Sequence, residues 1–299
     1  MAVNLYAYAR AERVRKRTLN VEANIPLSIL GQKEDSARLD MREMLEPFRL
    51  AARESLDYVG RRDSGVSVEV DCDIPIGAGL GSSAATAVAI IAATTRAYGE
   101  RLEKGKICQI AFGPESYLHG SPSGVDHATS TYGGVIRFSK PDNVTRLRVE
   151  RIPSLLICDT RIHRSTRGLV DAVVKRAKSE LAFFQSHVDE ASRISESAVK
   201  ALKEGDDREL GVLMNMNHEL LVQIGVSHPR LDSLVEVARK AGALGAKLTG
   251  AGGGGSMIAL CKDDDDRSRV ASAMRRRGGA TYLVSVDSSG VTSKGTALK

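Results

Sequence analysis

The sequence predicts an α+β protein. Alternating runs such as Val66-Ser67-Val68-Glu69-Val70 mark strands, and apolar residues at helical spacing, such as Leu39, Met41, Met44, Leu45, Phe48 and Leu50, mark helices. Both signals occur in both halves of the chain. Its 299 residues suffice for one large domain or two of ordinary size. With 42% hydrophobic and 27% charged residues, the chain can bury a sizeable core and does not read as disordered.

The elements follow in order. Residues 2–23 suggest two strands or one long hairpin, and 37–60 a helix. The strand at 66–70 leads through a glycine-rich turn into an alanine-rich helix over 83–98, whose small side chains allow close packing. A short helix over 104–118 and a tight loop from Gly120 to Gly124 precede a helix start or turn near Asp126. Val135–Phe138 reads as a strand, Pro141-Asp142-Asn143 as a turn and Leu155–Cys158 as a buried strand. The stretch 140–152 is the candidate boundary between domains 1–150 and 151–299.

Beyond it, Ser165 or Thr166 can cap a helix running through Val170, Val173 and Val174. Helices over 180–204, 207–223 and 229–241 are separated by Gly205-Asp206-Asp207 and Ser227-His228-Pro229. A strand at 246–248, a run of glycines, a strand at 256–261, a helix at 266–277 and a strand at 281–286 complete the chain. Asp263–Asp266 reads as a solvated turn capping the last helix rather than a calcium loop.

Composition narrows the function. Only 4% of residues are aromatic and none is Trp, which disfavours base stacking. The net charge of +6 is scattered apart from Arg275-Arg276-Arg277; it suits anionic ligands better than a nucleic-acid groove, so no nucleic-acid partner is expected. Cys72, Cys108, Cys158 and Cys261 form no CxxC pair, which disfavours zinc, and they fit a reducing, cytoplasmic setting. No apolar run is long enough for a membrane span. Asn143-Val144-Thr145 matches a glycosylation acceptor without other signs of secretion.

Three constellations carry chemistry. In Pro75-Ile76-Gly77-Ala78-Gly79-Leu80-Gly81-Ser82-Ser83-Ala84-Ala85, glycines between a strand and a helix can expose successive N–H groups beside a helix N-terminus, a pocket for phosphate. A flexible turn capped by serine is the alternative. Ser82 and Ser83 could cap the helix or ligate Mg²⁺. The spacing is neither a Walker A loop nor a dinucleotide fingerprint.

Next, Glu115 and Asp126 flank the loop His119-Gly120-Ser121-Pro122-Ser123-Gly124. Phosphoryl transfer needs a metal-bound polyphosphate and a positioned hydroxyl, so one carboxylate could hold Mg²⁺ and the other accept the proton. Finally, Lys247-Leu248-Thr249-Gly250-Ala251-Gly252-Gly253-Gly254-Gly255-Ser256 is too glycine-rich for filler and is expected to approach a ligand with its backbone. Asp159–Arg167 is a weaker segment suited to an anionic substrate or to a solvated helix start.

Together these segments resemble the GHMP small-molecule kinases over nearly the whole chain. PIGAGLGSSAA resembles their ATP-phosphate loop and KLTGAGGGG their C-terminal glycine loop. Within that superfamily, HGSPSGVDHATSTYGG, DTRIHRSTRGLV, MNMNHELL and GVSHP are similar to the mevalonate kinases. The resemblance implies two α+β domains, S5-like then ferredoxin-like with added helices, and a site in the cleft between them.

It also implies ATP as co-substrate, Mg²⁺, phosphorylation of the mevalonate 5-hydroxyl, and a cytoplasmic homodimer. Gly77, Ala78, Gly79, Leu80, Gly81, Ser82 and Ser83 would wrap the ATP phosphates, and Ser83 and Glu115 would hold Mg²⁺. Asp126 would be the base, with Thr166 near the transferred group. His119, Ser123, Gly124, Thr249, Gly250, Ala251 and Gly252 would shape the acceptor side.

The mevalonate kinases carry an APGK and GEH segment ahead of the strand that opens this chain. A strand and loop of roughly 20–25 residues is therefore expected to be missing, through a mis-assigned start or a truncation. Alternatives within the enzyme class are phosphomevalonate kinase or mevalonate 3-kinase activity. A catalytically impaired ligand-binding protein of the same fold is a further alternative.

Overall fold

The computed structural model describes residues 1–15, 17–23, 34–140, 143–162 and 166–293, with only the backbone described for 34–44, 166 and 167. The chain forms two compact units. One holds Met1–Ile74, Gly81–Thr145 and residues from Asp287; the other holds Pro75–Leu80 and Arg146–Val286.

In the first unit, β1 (Ala7–Val14), β2 (Leu19–Ala23) and β3 (Gly65–Cys72) form a sheet in the order β1-β3-β2. The opening pair is thus not a hairpin. Strand β3 lies between its members, antiparallel to β1 and parallel to β2. The reason is burial: Val66, Val68 and Val70 are all buried, and a strand that apolar belongs at the sheet centre, whereas β1 alternates half-buried with exposed residues.

Helices α1 (Glu34–Tyr58) and α2 (Ser82–Ala97) cover this sheet, and α3 (Lys104–His119) packs against both helices. The alanines of α2 let it settle closely against its neighbours; Ala84, Ala87, Ile90 and Ile91 are buried. Helix α4 (Val125–Tyr132) follows, and β4 (Ile136–Ser139) pairs with β5 (Asn143–Arg146). Asn143 therefore opens a strand; Pro141 and Asp142, the rest of the expected turn, lie outside the described residues. The segment from Asp287 returns to this unit. Gly134 N–H donates to the Asp287 carbonyl at 2.6 Å, Asp287 N–H to Ala2 at 3.0 Å and Ala2 N–H to Gly134 at 2.9 Å.

In the second unit, β6 (Ser154–Asp159), β7 (Gly245–Leu248), β8 (Ser256–Cys261) and β9 (Ala280–Val284) form an antiparallel sheet in the order β7-β8-β6-β9. Helices α8 (Pro229–Lys240) and α9 (Asp264–Arg276) supply the core over one face, where Leu156, Cys158, Leu248, Met257 and Ala259 meet Leu231, Leu234, Val270 and Met274. Burial pushes the Cys158 thiol up to about 12 and the Cys261 thiol to about 11, so both behave as small apolar core residues. Asp263 caps α9 by accepting the Asp266 N–H at 3.0 Å, as the acidic run predicted, and Arg275 and Arg276 sit in its last turn against the dipole.

Helices α5 (Thr166–Ser179), α6 (Leu181–Glu204) and α7 (Asp207–Ile224) connect β6 to α8. Helix α7 runs along the free edge of β7 and takes the place of a neighbouring strand. Asn215 Oδ1 accepts the Ala246 N–H at 2.9 Å, and His218 Nδ1 accepts the Leu248 N–H at 3.4 Å. The spacing of Gly211, Asn215 and His218 puts all three on one helical face, so polar side chains satisfy edge groups that would otherwise invite another chain.

Gly211 is where backbone meets backbone: a Cβ there would lie 2.5 Å from the Leu244 carbonyl oxygen. Gly211→Ala is therefore expected to cost about 2 kcal/mol by overpacking, lowering the melting temperature by about 4–8 °C in a thermal scan.

Candidate active site

The phosphate-loop candidate begins with backbone conformation. Gly77, Gly79 and Gly81 have φ of 74°, 71° and 71°, alternating with Ala78 and Leu80, a pattern that only glycine adopts without strain. Successive N–H groups turned this way form a concavity suited to an anion. Gly81 is also the N-cap residue of α2, and no side chain caps that N-terminus. Ser82 and Ser83 thus lie in the first turn without closing it, and the helix presents its dipole toward whatever binds there.

Ser83 instead lies close enough to the Glu115 carboxylate, on α3, to favour its charged form. Glu115 is 2% exposed, and its Oε1 has no hydrogen-bond partner. Burial, reinforced by Asp126, raises its pKa, against the opposing pull of Ser83 and His119. The His119 Nε2 stands 3.8 Å from Glu115 Oε2. A buried carboxylate with a vacant oxygen costs stability unless a cation or proton joins it.

Asp126 enters from the opposite side, in the first turn of α4. Gly124 caps that helix at φ 96°, and a Cβ on it would meet the Phe138 ring at 2.7 Å, so glycine is required twice over. Ser123 Oγ accepts the Val125 N–H at 3.3 Å and steadies the turn. Asp126 lies directly against the phosphate-loop end: an added Cβ at Gly81 would be 3.5 Å from Asp126 Cβ and 3.6 Å from its Oδ1. Its carboxylate reaches solvent yet is crowded enough that desolvation raises its pKa, opposed by His119 and the chain's amino group. Gly81, Ser83, Glu115, His119 and Asp126, far apart in the sequence, therefore converge within the first unit.

The second glycine loop lies in the second unit and does something the sequence did not predict. Gly250, Gly252, Gly253, Gly254 and Gly255 all have positive φ. A Cβ at Gly250 would stand 2.7 Å from the Gly79 carbonyl oxygen, and one at Gly255 2.9 Å from that of Ala78. Others would collide with the carbonyls of Val226, from Gly252, and Ile162, from Gly254. The close approach that the glycines permit is to the chain's own backbone, including residues 78–79 of the phosphate loop. Thr249 and Ala251 are half-buried at the start of this loop and Gly250 is exposed.

Thr166 opens α5, but its side chain lies outside the described residues, as do His163, Arg164 and Ser165. The residues that sequence reasoning left without a role are Val226, His218 and Asp232. The helical spacing of Gly211, Asn215 and His218 was the available signal for part of this set.

A metal can be tested against these residues. Among the described residues no group of three or more His, Cys, Asp and Glu is gathered as a ligand cage. The vacant Glu115 oxygen beside Ser83 does fit Mg²⁺, which takes one or two protein oxygens and completes its shell with phosphates and water. Among the described residues no helix is long and apolar enough to cross a membrane.

An uncapped, glycine-lined helix N-terminus with the buried Glu115 near Ser83 and Asp126 beside Gly81 is compatible with phosphoryl transfer to a small molecule. The models of the GHMP kinases N terminal domain and GHMP kinases C terminal region match residues 47–134 and 198–280, and the chain belongs to the GHMP kinases. Its fold is the two-part GHMP kinase fold. More particularly, it is 33% identical to the mevalonate kinase of Pyrococcus furiosus, covering 97% of this chain and 90% of the relative, and 35% identical to that of Thermococcus onnurineus over the same shares. The crystal structure of L. major mevalonate kinase in complex with R-mevalonate superposes with a TM-score of 0.81 at 28% identity, over 97% of this chain and 89% of that one.

Removing the Glu115 charge separates stability from function. Its raised pKa means that ionisation opposes folding, a penalty absent below the ordinary value of 4.5 that grows as pH rises through the raised one. Glu115→Gln is expected to melt with the wild type at pH 4 and above it at pH 7.5 without ligand, by about 2–4 °C per kcal/mol relieved. It should lose phosphoryl transfer at both.

Proposed function

We propose that this chain transfers the γ-phosphoryl group of ATP to the 5-hydroxyl of (R)-mevalonate, giving 5-phosphomevalonate and ADP. The site observation that carries the reaction class is the convergence of Ser83, Glu115 and Asp126 on the glycine-lined start of α2. The choice of acceptor rests on the near-full-length likeness to mevalonate kinases.

The N–H groups of the Gly77–Ser83 loop bind the phosphates and align the leaving oxygen. Ser83 Oγ and the Glu115 oxygen that has no partner would hold Mg²⁺, which would neutralise phosphate charge. Asp126, whose raised pKa brings it closer to neutrality, accepts the proton of the hydroxyl as its oxygen forms the new bond to phosphorus. The bond from phosphorus to the bridging oxygen breaks, and ADP leaves with that electron pair. His119 tempers the charge of both carboxylates, and Ser123 and Gly124 set the helix turn that aims Asp126. Thr166 lies near the transferred group, and Thr249, Gly250, Ala251 and Gly252 shape the acceptor side.

In this reading residues 1–150 serve mainly ATP and 151–299 complete the enzyme, which works as a cytoplasmic homodimer in isoprenoid synthesis.

The test is ADP release from MgATP with mevalonate, compared with Asp126→Asn. ADP formation should require mevalonate, and the variant should lose about 10²–10⁴-fold in kcat at an unchanged melting temperature. Equal turnover by the variant would remove Asp126 as the base. Turnover with phosphomevalonate but not mevalonate would overturn the acceptor.

A further inference from the structure

A polar cluster around the buried His218, joined by the partly exposed Ser227 and Asp232, is not used by the transfer chemistry. His218 on α7 is 3% exposed. Its Nε2 stands 3.4 Å from Asp232 Oδ1 on α8, and the same carboxylate oxygen accepts the hydroxyl of Ser227. On its other side His218 Nδ1 accepts the Leu248 N–H, the last strand position before the glycine loop. Asp232 therefore ties α7, α8 and the Gly225–His228 turn to the end of β7.

That turn reaches onward. The Val226 carbonyl accepts the Gly253 N–H at 2.8 Å, and Gly252 packs so tightly on the same carbonyl that a Cβ there would collide with it. Gly250 and Gly255 in turn lie against the carbonyls of Gly79 and Ala78. The contacts thus run from Asp232 through Ser227 and Val226 to the glycine loop and then to residues 78–79, backbone on backbone after the first step. Packed backbone has no rotamer freedom with which to absorb a shift, so displacement at one end is passed along.

We propose that the Ser227–Asp232–His218 cluster is a positioning device that sets the direction of the Ala78 and Gly79 peptide groups, and through them the affinity for nucleotide phosphates. It rests on the reading that the Gly77–Ser83 loop takes those phosphates, but not on the identity of the acceptor. The protonation state of His218 agrees with this role. Its Nδ1 accepts a hydrogen bond, so the ring is neutral; burial lowers its pKa, with Arg239 on α8 and Lys247 on β7 acting in the same direction and Asp232 and Glu219 against it. Protonation would turn Nδ1 into a donor facing the Leu248 N–H.

The variants are Ser227→Ala, Asp232→Ala and His218→Asn, whose amide can replace Nδ1 but is too short to reach Asp232. MgATP and MgADP affinity is measured by titration calorimetry without acceptor, KM for each substrate by ADP release, and backbone exchange over 77–80 and 250–255 by hydrogen–deuterium exchange. Nucleotide Kd and KM for ATP should rise about 5–20-fold, the coupling range of 1–2 kcal/mol, with KM for the acceptor within about twofold. Exchange should quicken in both loops.

Variants that bind nucleotide like the wild type would overturn the inference. So would a uniform loss of kcat and melting temperature with unchanged KM for ATP, which marks a merely structural cluster. A wild type that binds nucleotide but phosphorylates some other alcohol overturns only the choice of acceptor. A wild type that binds no nucleotide overturns the assignment of the phosphate loop and this inference with it.

Discussion

The contact on which the candidate site most depends is peptide against peptide: Gly250 on the carbonyl of Gly79 and Gly255 on that of Ala78. Two loops touch through residues more than 170 positions apart in sequence with no side chain between them. Each glycine meets two constraints at once, a positive φ and a space that excludes Cβ. The entropic cost of so many glycines is offset by rigidity: a loop packed on backbone cannot relax by rotamer changes. Such rigidity suits a loop whose N–H groups are proposed to receive phosphate, since they are then held in place before ligand arrives.

The acidic cluster follows a complementary logic. Glu115 is buried where a carboxylate is unfavourable, with an oxygen unpaired, and Ser83 and His119 only partly compensate. Such destabilisation persists in a fold when something that binds relieves it. Asp126, a few ångströms from Gly81, keeps contact with solvent, yet desolvation raises its pKa against the opposing charges of His119 and the amino group. Two carboxylates in one neighbourhood thus differ in environment, as acids with different tasks do.

Helix α7 shows how the support is organised. Its Gly211, Asn215 and His218 treat the edge of β7 as a strand would, closing the sheet while fixing where β7 ends and the glycine loop begins. His218 then shares Asp232 with Ser227, so the structure that ends the strand also anchors the turn against which the loop lies. Sheet closure and loop placement become one structural problem with one set of residues.

Much of this was legible in the sequence. Period-two and helical spacing located most strands and helices to within a few residues, because those signals are local, but β5 was missed where Asn143 read as a turn. The glycine spacing of residues 77–81 pointed to the tight turn that their positive φ now shows, because residue type limits backbone conformation. The tertiary structure decided the rest. Strand β3 separates β1 from β2, since strand order follows which strand is most apolar on its buried face, a comparison across the whole sheet. No side chain caps α2, and Ser83 instead lies beside the buried Glu115 carboxylate, a neighbour that comes from another helix. The glycines of 250–255 face the chain's own carbonyls as well as any ligand, and His218 meets Asp232, because contacts between distant segments depend on packing that no window of sequence contains.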